Sequence, residues 1–314
     1  MPIEKTSKGP GGRNLIVIPL SPRTLLKGGG VTVQHGYSPP GAQRVSEPSP
    51  VFADAIAPVP APVRYYTASE THQGTRDYQQ DALYVMGTVN ERSGETATVF
   101  GVLCDGMGGM QSGGEASSLV VDEIRRELEA LPDGANIAAF FREKIRRLDS
   151  MMSERFGDGA AGTTMVSVVA IEDKLYWCSI GDSRVYLIRG GEILQVTRDH
   201  NYYMELLEDV LKGRITQEEA DNHPKKEALI SFIGSGSADL IDANTEPFTL
   251  INGDIILLCS DGLTKSLADE EVRKLVQKSS YDLKEAARIL INTAIDIDMN
   301  PKDNTSVILI QYIK

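Results

Sequence analysis

Four β-rich segments stand almost end to end in the middle of the chain: TTMVSVVAI (163–171), KLYWCSI (174–180), RVYLIR (184–189) and EILQVT (192–197). Only Glu-Asp, Gly-Asp-Ser and Gly-Gly separate them. Links this short cannot carry the crossover that parallel neighbours need, so the run predicts an antiparallel meander. Asp182, in the turn GDS, is then either a hairpin turn residue or a functional acid.

What flanks the meander sets the layers. VRYYTAS, ALYVMGTV and TVFGVLC read as strands before it, and IILLCS and the closing SVILIQYI as strands after it. Helical periodicity covers 114–131, with Leu119, Val120, Ile124, Leu128 and Leu131 on one face, and then 136–156, about 267–278 and 282–297. Strands before and after paired helices predict an α+β fold, a four-layer sandwich of two antiparallel β-sheets packed face to face and flanked by helices. Residues 198–230 break the rhythm: they are polar, carry the capping-box pattern Thr216 to Glu219, and read as an inserted helical flap.

Residues 1–62 hold most of the 15 prolines, together with GPGG, KGGG and SPPG, and lack apolar periodicity. They are expected to form a flexible tail in which LIVIPL (15–20) and GVTVQ (30–34) could dock as short strands; 63–314 is the folded domain. Its 41% apolar residues suffice for a substantial core. A net charge of −12 argues against nucleic acid or an anionic membrane as partner and suits cations instead. Cys104, Cys178 and Cys259 each lie in an apolar stretch and are odd in number, as expected for reduced, buried thiols of a cytoplasmic protein. With no apolar run near the roughly 18 residues of a membrane span and no signal-peptide pattern, the chain is expected to be a soluble, unexported monomer.

The stretch VFGVLCDGMGGMQSGGEAS (99–117) raises a chemical question: one carboxylate, Asp105, is followed by five glycines. Glycines there let backbone approach a ligand closely and leave the carboxylate unshielded. Three more aspartates sit at strand ends: Asp81 before ALYVM, Asp261 after IILLCS, and Asp303 before SVILI. In antiparallel sheets the start of one strand lies beside the end of its neighbour, so all four can converge on one rim. Like charges so close raise one another's pKa, and a divalent cation resolves the conflict. Oxygen donors, without His or Cys at ligand spacing, favour Mg²⁺ or Mn²⁺ over Zn²⁺. His72, His200 and His223 are expected to be surface or loop residues. Arg76, five residues before Asp81, is either a surface charge or a fork that holds a phosphate beside the metals.

The order of these motifs is similar to that of the metal-dependent Ser/Thr protein phosphatases of type 2C, in their bacterial form. The likeness rests on HQGTRDYQQDA (72–82), FGVLCDGMGGMQSGGEAS (100–117), GTT (162–164), SIGDSRVYL (179–187), TRDHN with GRITQEEADNHP in the flap, CSDGLT (259–264) and DNTSVI (303–308). The resemblance implies two Mn²⁺ or Mg²⁺ ions bridged by Asp105, with the Gly106 carbonyl, Asp261 and Asp303 as further ligands. It also implies Asp81 as a support of the metals or their waters, Asp182 at a third, more weakly held ion, and Arg76 as the catalytic phosphate-binding arginine. Phosphorylated proteins, the products of a Ser/Thr protein kinase, are the implied partners in signal transduction. Two departures stand out: Gln79-Gln80-Asp81 where the family usually has a Glu before the Asp, and Met107 where many eukaryotic members have a His.

The expected activity is hydrolysis of phosphoserine and phosphothreonine by a metal-activated water, without a covalent intermediate. The rival is a catalytically silent module that binds a phosphoprotein, for which Gln80 speaks. A two-metal nuclease shares the carboxylates but lacks a basic surface to track a strand.

Overall fold

The structure is a computed structural model that describes residues 63–90, 95–109, 112–132, 134–280, 282–297 and 302–314. The expected tail, with LIVIPL and GVTVQ, lies outside the described residues. The elements run in the order β1 (Arg64–His72), β2 (Asp81–Asn90), β3 (Glu95–Gly108), α1 (Ser112–Glu129), α2 (Ile137–Phe156), β4 (Ala161–Thr163), β5 (Met165–Ile171), β6 (Lys174–Ile180), β7 (Arg184–Arg189) and β8 (Glu192–Gln195). Then follow α3 (Tyr202–Leu211), α4 (Gln217–Asp221), β9 (Asp242–Ala243), β10 (Phe248–Thr249), β11 (Ile255–Cys259), α5 (Asp261–Ser266), α6 (Asp269–Lys278), α7 (Leu283–Asp296) and β12 (Thr305–Ile313).

Two antiparallel sheets result. One has the order β1-β12-β11-β7-β8; the other has the order β10-β6-β5-β3-β2, with β4 added on β3 and β9 on β6. Side-chain alternation sends successive residues to opposite faces, and both faces are apolar. In β12, Ile308, Ile310 and Tyr312 meet Val99, Leu103, Val166 and Val168 of the facing sheet, while Val307 and Leu309 pack under α5, α6 and α7. In β3, Phe100, Val102 and Cys104 turn outward onto α1 and α2. Helix, sheet, sheet, helix is thus the order of layers, as expected, and all three cysteines are buried free thiols.

Local chemistry sets the helix ends. Asn136 caps α2, its side-chain oxygen accepting from Ala139 N at 3.0 Å, and Gly157 ends it at φ +86°. The capping box at Thr216 and Glu219 is present and starts α4 within the flap.

The expected single meander is corrected. β5 and β6 pair in one sheet, β7 and β8 in the other, and the GDS link carries the chain between the sheets. Gly181 adopts φ +102°, and β7 leaves to pair with β11 rather than with β6. A hairpin turn and a passage between sheets call for the same short, Gly-containing link, so local sequence does not separate them. The passage leaves Asp182 on the rim shared by the two sheets.

Candidate metal centre

Register brings the first two acids together. β2 and β3 pair so that Asp81 stands directly opposite Asp105. Beyond them the end of β3 pairs with β4, Gly106 opposite Thr163. The backbone of Asp105 is held on both sides: its N–H donates to Thr164 Oγ1 at 3.1 Å, and its carbonyl accepts from Thr164 N and from Thr163 Oγ1, each at 2.9 Å. Gly106 is obligatory for a steric reason. A Cβ there would collide with the Gly113 carbonyl at the start of α1 and lie 2.7 Å from the Gln80 carbonyl, which accepts from Gly106 N at 3.0 Å.

The facing sheet supplies the second pair. Asp261 opens α5 just past the end of β11, and Asp303 lies two residues before β12. The buried Ser260 links the two sheets: its Oγ donates to Asp81 Oδ2 at 2.8 Å and accepts from Ser306 N at 3.0 Å. Asn304 clamps the loop before β2, accepting from Gln80 N at 2.8 Å and donating to the carbonyls of Gln73 at 2.7 Å and Tyr78 at 3.1 Å. That loop carries Arg76, half exposed, with Nη2 3.1 Å from Asp303 Oδ1.

The electrostatics are those of an acid cluster. Burial, then the charges of Asp81 and Asp261, push the Asp105 carboxyl well above the usual carboxylate range. Burial likewise raises Asp81 to about 7 against the hydrogen bonds of Ser306 and Ser260, and raises Asp182 to about 7 with Asp261 contributing. Among the described residues no three Asp, Glu, His or Cys side chains close around one point, and Lys265 stands between two of the acids. Its ammonium pairs with Asp261 Oδ2 and lies 3.2 Å from Asp303 Oδ2. Burial opposes its charge, yet Asp261 and Asp303 more than offset this and raise its pKa.

The donor set fits divalent cations. Asp81 Oδ1 and Asp261 Oδ1 are buried with no hydrogen-bond partner, the condition that a hard cation relieves. All the acids predicted from sequence therefore meet electrostatically at one rim. Lys265, Ser260, Ser306, Asn304, Thr163 and Thr164 were not singled out individually. Most lie inside the quoted motifs, and the i,i+4 spacing from Asp261 to Lys265 is a readable ion-pair signal.

Of the histidines expected at the surface or in loops, His200 lies in the loop between β8 and α3. His200 is buried, its ring Nδ1 accepting from Gly181 N at 3.2 Å and its backbone N–H donating to Gly181 O at 2.9 Å. Burial lowers its pKa and keeps the imidazole neutral, so it supports the turn at Asp182 and does not sit on the surface. Arg184, two residues after Asp182, grips Asp199 with Nε at 2.9 Å and Nη2 at 2.6 Å, and so ties the passage between sheets to the base of the flap. Gln80 presents its side-chain amide to the Gly108 carbonyl at 3.4 Å, against the glycines that open α1.

Known proteins are similar to this chain in sequence and fold. The family model described as Protein phosphatase 2C matches residues 66–206. The serine/threonine phosphatase stp of Listeria welshimeri is 32% identical over 218 residues, covering 67% of this chain and 83% of that protein. The chain belongs to the protein phosphatase 2C family. It is accordingly an enzyme, a serine/threonine protein phosphatase. Among solved structures, the Streptococcus agalactiae serine/threonine phosphatase superposes with a TM-score of 0.66 at 25% identity, covering 80% of this chain and 100% of that one. The catalytic domain of the phosphatase PstP in complex with two manganese ions superposes with a TM-score of 0.61 at 26% identity, covering 80% and 100%. Two antiparallel sheets flanked by helices are the fold of this group.

Proposed function

We propose that this type 2C phosphatase hydrolyses phosphoserine and phosphothreonine esters of protein substrates at the rim formed by Asp81, Asp105, Asp182, Asp261 and Asp303. The observation that carries the reading is the meeting of acids from both sheets with buried, unpartnered oxygens on Asp81 and Asp261. Asp105, Asp261, Asp303 and the Gly106 carbonyl would hold Mn²⁺ or Mg²⁺, with Asp81 beside them and Asp182 at a further, weaker position; the manganese bound by PstP supports this choice. When bound, such ions supply Lewis acidity to phosphoryl oxygens and lower the pKa of water.

The chain's own residues do the rest. Arg76, exposed at its outer end, presents a planar fork to the phosphoryl oxygens and screens them from the aspartates. Thr163 and Thr164 fix the peptide of Asp105, so its carboxylate does not reorganise as charge develops at phosphorus. Ser260 donates to one oxygen of Asp81 and leaves the other, buried and unpartnered, for a cation. The flap, whose base is held through Arg184 and Asp199, would be the segment against which a protein substrate rests. No helix among the described residues is long and apolar enough to cross a membrane, and three reduced thiols support a cytoplasmic setting opposite a Ser/Thr kinase.

Phosphate release from a phosphothreonine peptide, with Mn²⁺ and then with EDTA, tests the proposal. Turnover that EDTA abolishes is expected. Turnover unchanged by EDTA refutes the metal centre, and peptide binding without turnover in saturating Mn²⁺ would favour the silent-module alternative.

A further inference from the structure

Asp303 is unusual among the acids of the rim, because both of its oxygens are already engaged by cations of the chain itself. Arg76 Nη2 stands 3.1 Å from Oδ1, and Lys265 Nζ 3.2 Å from Oδ2. Lys265 also pairs with Asp261 Oδ2, one helical turn before it in α5, while Asp261 Oδ1 is buried without a partner. One ammonium, 38 residues from Asp303 and four from Asp261, thus bridges two acids that the metal reading assigns as ligands.

We propose that Lys265 is a built-in counter-ion of the centre: it neutralises Asp261 and Asp303 in the metal-free protein and must withdraw before they take up divalent cations, so it sets the cation concentration at which the enzyme loads. This rests on the metal-centre reading given above. The side chain suits the task. An ammonium is a compact point charge on a flexible four-carbon stem, so it can leave by rotating its own torsions, without moving α5. Its side chain is 39% exposed, which gives it a path to water. A partly exposed ion pair contributes little net free energy, so a divalent cation can displace it, yet two carboxylates on one ammonium hold it more firmly than a single surface pair. Arg76 does not duplicate the role, since it pairs with Asp303 and not with Asp261, and is half exposed.

The test is a calorimetric Mn²⁺ titration of the metal-stripped full chain and of Lys265→Met, Lys265→Gln and Lys265→Arg. Thermal unfolding of each in EDTA and in saturating Mn²⁺ accompanies it. Lys265→Met and Lys265→Gln should bind Mn²⁺ about tenfold more tightly, equivalent to ~1.4 kcal/mol. They should melt below wild type in EDTA and level with it in saturating Mn²⁺, and Lys265→Arg should bind like wild type. A merely structural lysine would lower both melting temperatures equally. Unchanged Mn²⁺ affinity in both neutral variants, or a melting deficit that persists in Mn²⁺, overturns the proposal. Asp105→Asn in the same titration separates the two readings: if it binds Mn²⁺ as wild type does, the metal centre itself is wrong.

Discussion

Asp105→Asn should make the metal-free protein more stable and the enzyme inactive. Asp81 and Asp105 are directly opposed partners on β2 and β3, and both are largely removed from water. Opposed residues in an antiparallel pair have Cα atoms about 4.5–5.5 Å apart. Two unit charges about 5 Å apart at an effective dielectric of about 20 repel by roughly 3 kcal/mol. Exposed like-charge pairs across strands cost about 0.2–1 kcal/mol, and partial protonation at the rim lowers the first figure, so a gain of about 1–3 kcal/mol is expected in EDTA. The amide is isosteric, and its N–H can donate to the unpartnered Asp81 Oδ1. For a domain of this size, each kcal/mol raises Tm by about 2–4 °C. In Mn²⁺ at about a thousand times Kd, wild type gains about 4.1 kcal/mol that the variant does not, so the order of melting temperatures reverses. Differential scanning fluorimetry at pH 8 in EDTA and in Mn²⁺, with phosphate release on the same samples, reads all three quantities. A variant that melts at or below wild type in EDTA, or that keeps more than about a tenth of the activity expected to depend on that carboxylate, refutes the reasoning.

Three further outcomes follow from the same geometry. Arg76→Ala should raise KM more than it lowers kcat in steady-state assays if, as proposed, its exposed fork binds phosphate in ground and transition state alike; an unchanged KM would remove Arg76 from the site. Ser260→Ala should cost about 2–4 kcal/mol in urea unfolding, since Ser306 N–H loses its acceptor and Asp81 Oδ2 a donor in a buried setting; a loss below about 1 kcal/mol would show that water replaces the hydroxyl. In EDTA, Asp81 and Asp182, both at about 7 when folded, keep protons that the unfolded chain releases near pH 4. Their contribution to stability is full below about pH 4 and is lost as pH rises through about 7, at up to about 1.4 kcal/mol per pH unit per group. Urea midpoints that stay flat or climb between pH 5 and 7.5 would contradict the burial of these acids.

The sequence by itself determined the strands and helices, their apolar faces and the acids placed at strand ends, because these are carried by short-range periodicity and by turn and cap chemistry. Helix α2 was expected at 136–156 and runs Ile137–Phe156; the capping box at Thr216 was readable and is present. Motif order sufficed for the family, since GTT, GDSR, CSDG and DNTS keep the residues that hold the acids in place. Only the tertiary structure decided which strands pair. That choice sent the GDS link from one sheet to the other, set Asp81 opposite Asp105, buried His200 beneath Gly181 and brought Lys265 onto Asp303 from 38 residues away. Each of these depends on a partner distant in the chain. Pairing and register are set by the sum of packing and hydrogen bonds over whole sheets, and no local window of residues contains that sum.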